Sequence, residues 1–165
     1  MIDSQSLNGR TVAFVNFGTG TAMDLSGGQT SPPDGTPCIG YQAHLNENQQ
    51  WKLVKWKDDD VGRPIFRIQN IKASGRALDL YNGGTANDTK ITGWQYSTFG
   101  GHQAWYIHPV GVFPENGTVV KIQNYGANTF VDLRYGSSDN GTPIVGWQGD
   151  LHSLNPHQLW VLKFV

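Results

Sequence analysis

Three aspartates in this chain sit between apolar residues in the same way, as Met23-Asp24-Leu25, Leu78-Asp79-Leu80 and Val131-Asp132-Leu133. In a strand, alternation sends the flanking apolar side chains to one face and the carboxylate to the other. Each Asp is followed 17, 15 or 15 residues later by the aromatic of a Gly-aromatic-Gln triplet: Gly40-Tyr41-Gln42, Gly93-Trp94-Gln95 and Gly146-Trp147-Gln148. An ionised carboxylate accepts two hydroxyl protons in charge-assisted bonds, and a flat ring covers an apolar C–H face and excludes water. The glycine lets backbone approach closely and offers its own N–H. Together these groups suit a neutral sugar in a shallow pocket. Each has a plainer alternative: a fold-stabilising carboxylate for the Asp, and core packing for the ring. Ile39 and Val145 stand two residues before their aromatics, so alternation leaves open which face the ring takes.

A second motif recurs in register with the first. Gln49-Gln50-Trp51, Gln103-Ala104-Trp105 and Gln158-Leu159-Trp160 all read Gln, any residue, Trp, with the tryptophans 54 and 55 residues apart. Leu53, Ile107 and Leu162 lie two positions on, which places each Trp on the apolar face of a strand and in the core. The amides of Gln49, Gln103 and Gln158 can bond neighbouring backbone. Asn48, His102 and His157 immediately precede those glutamines and are candidates for the remaining sugar hydroxyls, the alternative being solvated loop residues. Asn155 competes in the third copy, where the loop is longer. Asn16, Asn70 and Asn124 precede turns and are read as turn formers.

One unit is therefore made three times, at about 9–57, 58–111 and 112–165, within a single domain spanning 1–165. Runs rich in Val, Ile, Phe, Tyr, Trp and Thr alternate with Gly, Asn, Asp and Pro, and no window keeps a helical period. The strands expected are 11–17, 21–26, 38–42 and 50–56, then 65–71, 77–81, 91–96 and 103–110, then 118–125, 130–135, 144–148 and 158–164. Four strands cannot bury their own apolar face, so three units must share one core. That predicts an all-β, twelve-stranded β-trefoil with pseudo-threefold symmetry.

Composition excludes several functions. Lys plus Arg number 12 against 13 Asp plus Glu, a formal charge of −1, which offers no field for phosphate backbones or anionic lipid. No run nears the roughly 18 apolar residues of a membrane span. Residues 1–6 lack a basic start with an apolar run, and Cys38 is a lone thiol, so a cytoplasmic location in a reducing compartment is expected. The sequons at Asn87, Asn116 and Asn140 are then turn residues. No nucleophile triad, phosphate loop or metal-spaced His cluster is present, and neither metal nor cofactor is expected.

Three Gln-x-Trp motifs in register with three Asp and three aromatics resemble the ricin B-chain type lectins, and most closely their small single-domain mushroom members, over residues 11–165. The resemblance implies a non-enzymatic lectin for terminal galactose or N-acetylgalactosamine on glycoproteins or glycolipids, a hemagglutinin with a defence role. Carried across, the sites comprise Asp24, Gly40, Tyr41, Asn48 and Gln49; Asp79, Gly93, Trp94, His102 and Gln103; and Asp132, Gly146, Trp147, His157 and Gln158. The first copy departs in having Tyr41 instead of Trp and a Pro-bearing loop, Ser31-Pro32-Pro33-Asp34, which shapes or closes its pocket. Homodimerisation is left open. A glycosidase needs two carboxyls roughly 5 to 9.5 Å apart, and no second carboxylate is evident beside each Asp. A β-trefoil protease inhibitor is the alternative by fold analogy, but an inhibitor does not need the set repeated.

Overall fold

The computed structural model describes residues 1–98 and 100–165 and contains twelve strands. The first lobe holds β1 (Thr11–Asn16), β2 (Thr21–Leu25), β3 (Thr36–Gln42) and β4 (Trp51–Asp58). The second holds β5 (Pro64–Asn70), β6 (Arg76–Leu80), β7 (Thr89–Gln95) and β8 (Trp105–Phe113), and the third β9 (Gly117–Asn124), β10 (Phe130–Leu133), β11 (Thr142–Trp147) and β12 (Trp160–Phe164). Strand pairing closes a ring in the order β1-β4-β5-β8-β9-β12 and back to β1. Closure leaves no barrel edge to template aggregation. The hairpins β2–β3, β6–β7 and β10–β11 cap the barrel and pair with one another through β3, β7 and β11. This is the β-trefoil.

Trp51, Trp105 and Trp160 are at most 1% exposed and share the main core with Leu53, Ile107 and Leu162. Among the described residues no helix is long and apolar enough to cross a membrane. Several strands start later or end earlier than the periodicity predicts. Gln49 and Gln158 lie in 3-10 turns and Gln103 in a turn, because each glutamine leaves the strand to reach beneath the neighbouring hairpin. Tyr81 and Tyr135 likewise fall in 3-10 turns instead of closing β6 and β10.

Antiparallel register settles the face of each aromatic. Asp24 opposes Ile39, Asp79 opposes Thr92 and Asp132 opposes Val145. Directly opposed residues share a face, and so do residues two apart on one strand. Tyr41, Trp94 and Trp147 therefore lie on the same side of their hairpins as the acids, as diagonal neighbours. The glycine of each triplet faces the other way, into the protein. A Cβ on Gly40, Gly93 or Gly146 would stand 2.6, 2.7 or 2.8 Å from a methyl of Leu133, Leu25 or Leu80 respectively, so each glycine makes room for a leucine of another lobe at the pseudo-threefold axis.

The lobes also interlock through backbone. Asp34 accepts from Gln95 N, Asn87 from Gln148 N and Asn140 from Gln42 N, at 2.7 to 2.8 Å. The residue after each aromatic is thus fixed by the β-hairpin loop of another lobe. The Pro-bearing loop of the first lobe acts in this way: Pro32 O accepts from Arg76 Nε at 2.9 Å, and Gly35 N donates to Gly93 O at 3.0 Å. It does not line the first cleft but packs against the second lobe, where a Cβ on Gly35 would stand 3.7 Å from the Trp94 ring.

Since Leu25 is itself buried and cannot swing away, Gly93→Ala should cost about 1–3 kcal/mol by overpacking. Gly75→Ala, whose added methyl meets nothing within 4 Å, should change stability little. Urea unfolding of both variants checks the contrast.

Candidate carbohydrate-binding sites

Each Gln-x-Trp motif grips the Asp strand at two points. The tryptophan indole Nε1 donates to the carbonyl of the residue before the Asp: Trp51 to Met23 at 3.2 Å, Trp105 to Leu78 at 2.9 Å and Trp160 to Val131 at 3.1 Å. The glutamine Nε2 donates to the acid's Oδ2: Gln49 to Asp24 at 2.8 Å, Gln103 to Asp79 at 3.0 Å and Gln158 to Asp132 at 3.0 Å. The same amide nitrogen also donates to the carbonyl after the aromatic, at Gln42, Gln95 or Gln148. One side chain therefore ties the acid to the aromatic strand. The glutamines do bond backbone, as their chemistry suggests, and hold the carboxylate as well.

The residue preceding each glutamine is placed by yet another lobe. Asn70 Nδ2 donates to Asn48 O at 3.1 Å, Asn124 Nδ2 to His102 O at 3.3 Å, and Asn16 Nδ2 to His157 O at 3.4 Å. Their Oδ1 atoms cap the following turns at Gly18, Ala73 and Gly126, the turn-forming role read from sequence. In the third lobe the competition is resolved: Asn155 accepts from His157 N and caps the 3-10 turn, while His157 Nδ1 stands 3.9 Å from Asp132 Oδ1.

The acids are not outward in the sense alternation suggests. Asp24, Asp79 and Asp132 are 3, 6 and 3% exposed and form pocket floors, whereas Tyr41 and Trp94 are 38 and 37% exposed and Trp147 is half-buried. Burial raises all three carboxyls above the ordinary 3.8; the glutamine bond and the nearby His44, His102 or His157 offset part of this. Asp34 and Asp88 push Asp79 and Asp132 further up. These second carboxylates, invisible in the sequence, arrive from other lobes. Both are bound to arginines, Asp34 to Arg76 at 3.2 Å and Asp88 to Arg134 at 2.8 Å.

The lobes differ in what their acids have left to offer. Asp24 Oδ1 already accepts from Asn48 Nδ2 at 3.0 Å, and His44 Nε2 stands 3.7 Å from its Oδ2. Among the described residues, Asp79 Oδ1 and Asp132 Oδ1 accept no hydrogen bond. In the second lobe Asp79, Trp94, His102 and Gln103 line one cleft of about 470 Å³. The first lobe has a cleft of about 360 Å³ around Asp24, Tyr41, His44 and Asn48. In the third, a cleft of about 360 Å³ is lined by Gln148, Asp150, Asn155 and Gln158 and lies beside the acid, without Asp132 or Trp147.

Sequence reading missed the second ring in each lobe. Tyr81 meets Trp94 edge-on with centroids 6.2 Å apart, Tyr135 meets Trp147 at 6.3 Å, and His44 meets Tyr41 at 6.3 Å. It also missed Gly83 and Gly136, where a Cβ would stand 2.7 and 2.6 Å from the rings of His102 and His157. A tyrosine one or two residues after Asp-Leu, with glycine closing the same turn, was the available signal, as Leu80-Tyr81-Asn82-Gly83 and Leu133-Arg134-Tyr135-Gly136.

A family model described as ricin-type beta-trefoil lectin domain-like matches residues 3–94, more than half of the chain. The chain belongs to that family. Comparison with curated proteins gives no match. Among solved structures, the agglutinin of Rhizoctonia solani is similar over 100% of this chain and 99% of its own, with TM-score 0.72 and 23% identity. The ricin B-like lectin of Macrolepiota procera, solved with lactose, has TM-score 0.67 and 23% identity over 99 and 98%. The designed threefold-symmetric protein ThreeFoil has TM-score 0.77 and 24% identity over 94 and 99%. At these identities the likeness concerns the fold.

The raised carboxyls set a pH dependence. The folded chain binds their protons more tightly than the unfolded chain, so their contribution to stability is full below pH 3.8 and is lost as pH rises through the raised values. Once ionised above those values, they are a net cost. In Asp79→Asn the amide oxygen can still accept from Gln103, so the variant should be at least as stable at pH 7 and lose less stability above pH 3.8. Thermal unfolding of both proteins between pH 3 and 8 checks this; a clearly lower melting temperature for the variant at pH 7 would count against it.

Proposed function

We propose that the protein is a non-enzymatic lectin that binds terminal galactose or N-acetylgalactosamine chiefly through its second and third lobes. The observation that carries this reading is the buried carboxylate whose Oδ1 accepts no hydrogen bond among the described residues, beside a tryptophan that is exposed in the second lobe and half-buried in the third. The axial hydroxyl of galactose leaves one face of the sugar as a continuous C–H patch for the indole, while two neighbouring hydroxyls reach the carboxylate. His102 and His157 meet further hydroxyls. The lactose bound to the Macrolepiota lectin fits the same chemistry. The first lobe, with both carboxylate oxygens already engaged by Asn48 and Gln49, contributes least.

Two sites on one body raise avidity for a glycan-dense surface by roughly 10² to 10⁴, and agglutination follows from that geometry. Such binding to the surfaces of feeding animals supports a defence role. Glycosidase chemistry is disfavoured, since the carboxylates of other lobes that act on Asp79 and Asp132 are Asp34 and Asp88, each paired with an arginine.

Calorimetric titration with methyl β-galactoside tests the assignment. The wild type should bind two equivalents. Asp79→Asn and Asp132→Asn should each remove one, since losing a charge-assisted bond of about 1.5–3 kcal/mol weakens a site roughly 10- to 150-fold. Asp24→Asn should leave the stoichiometry at two. Unchanged stoichiometry in both of the first two variants rejects the reading. In the wild type, affinity should fall with decreasing pH as these carboxylates protonate, with a midpoint above 3.8.

A further inference from the structure

After each acid and its leucine the chain makes a turn with two consecutive left-handed residues: Gly27 and Gly28, Asn82 and Gly83, Tyr135 and Gly136. Glycine and asparagine tolerate that backbone; an aromatic rarely adopts it. Tyr135 holds it at φ 55° while 69% exposed, so the strain is not offset by burying the ring. In the second lobe the equivalent position is Asn82, and the ring comes instead from the residue before it, Tyr81, which is 43% exposed. From two non-equivalent positions, both lobes arrive at one arrangement: a tyrosine edge-on to the site tryptophan, at 6.2 Å and 63° or 6.3 Å and 71°. Arg134, bonded to Asp88, stands over the Tyr135 ring at 5.1 Å and pins that turn. The first lobe has only Ser26 and glycines there. A backbone strained to keep an exposed ring in place indicates a surface for a ligand.

We propose that Tyr81 and Tyr135 are second walls that receive the next sugar ring of a galactoside, so that the second and third lobes select disaccharides over monosaccharides. This rests on the galactoside reading above. The tryptophan carries the terminal ring, and the tyrosine, set across it, offers its face to the C–H surface of the following residue.

The test titrates methyl β-galactoside and lactose against wild type, Tyr81→Ala, Tyr135→Gly and both Tyr→Phe variants, following the indole N–H resonances of Trp94 and Trp147 to resolve the lobes. The wild type should prefer lactose by about two- to tenfold, the gain of one further aromatic contact. Tyr81→Ala and Tyr135→Gly should each lose that preference in their own lobe and keep monosaccharide affinity, and the Phe variants should retain it. Tyr135→Gly relieves the left-handed strain and should melt no lower than wild type. Equal weakening of both sugars, an intact lactose preference, or a lowered melting temperature of Tyr135→Gly overturns the proposal. A wild type that binds neither sugar overturns the galactoside reading, and this one with it.

Discussion

The structure depends on a single amide. In each lobe the buried glutamine of the Gln-x-Trp motif gives one N–H to the acid and the other to the carbonyl beyond the aromatic. A buried carboxylate without such a donor would take up a proton or pull the hairpin open. The amide keeps the acid in place, and the Trp indole bond to the preceding carbonyl fixes the strand that carries it. The core tryptophan and the pocket floor are therefore one construction, which is why the motif and the acid keep the same register along the chain.

Threefold repetition spreads every site over several lobes. The hairpin supplies acid and aromatic, another lobe's asparagine holds the residue beside the glutamine, and another lobe's loop fixes the backbone after the aromatic. A change in one copy therefore reaches its neighbour, as the Pro-bearing loop shows by bonding Arg76, Gly93 and Gln95 of the second lobe. The copies have also diverged at one buried position. Ala13 in β1 corresponds to Arg67 in β5 and Lys121 in β9, both at most 1% exposed. Arg67 donates to Gly100 O at 3.0 Å and Lys121 to the carbonyls of Asp150 and Ser153. These cations anchor the loops between aromatic and glutamine, which are longer in the second and third copies. Among the described residues Gln158 Oε1 in the third copy is buried without a partner, whereas Gln49 and Gln103 each accept backbone N–H there.

Much of this was legible in the residues. The spacing of Trp51, Trp105 and Trp160 shows the repeat, and Asp24, Asp79 and Asp132 are conspicuous because an acid between apolar neighbours recurs three times. Alternation describes one strand and stops there. It places the acid opposite Met23 and Leu25 but says nothing of Asn48, Gln49 and His44, which gather against Asp24 and leave it 3% exposed. It could not choose a face for Tyr41 or Trp147, which cross-strand register decides. Gly40, Gly93 and Gly146 read as openings for a ligand's approach, yet the space beside each belongs to a leucine from another lobe, a contact no single repeat encodes. Tyr81 and Tyr135 escaped because a run of β-forming residues looked like continuing strand, whereas the left-handed turn that lifts the rings out begins just after Tyr81, at Asn82, and at Tyr135 itself.

Function and stability pull against each other at the pocket floors. An acid meant to accept sugar hydroxyls must be ionised, and it binds more strongly where water is scarce, but the same dryness raises its proton affinity and makes its charge costly to the fold. Asp24 resolves the conflict in favour of the fold by taking Asn48 and Gln49 as partners on its two oxygens. Asp79 and Asp132 leave one oxygen open, and the neighbouring carboxylates of Asp34 and Asp88 make their charge more expensive still. The arrangement persists because the barrel does not rest on those carboxylates: its tryptophan-lined core is complete beneath them. A lobe can then hold an under-satisfied acid at the floor of a pocket on a stable body, and the three lobes sit at different points along that trade.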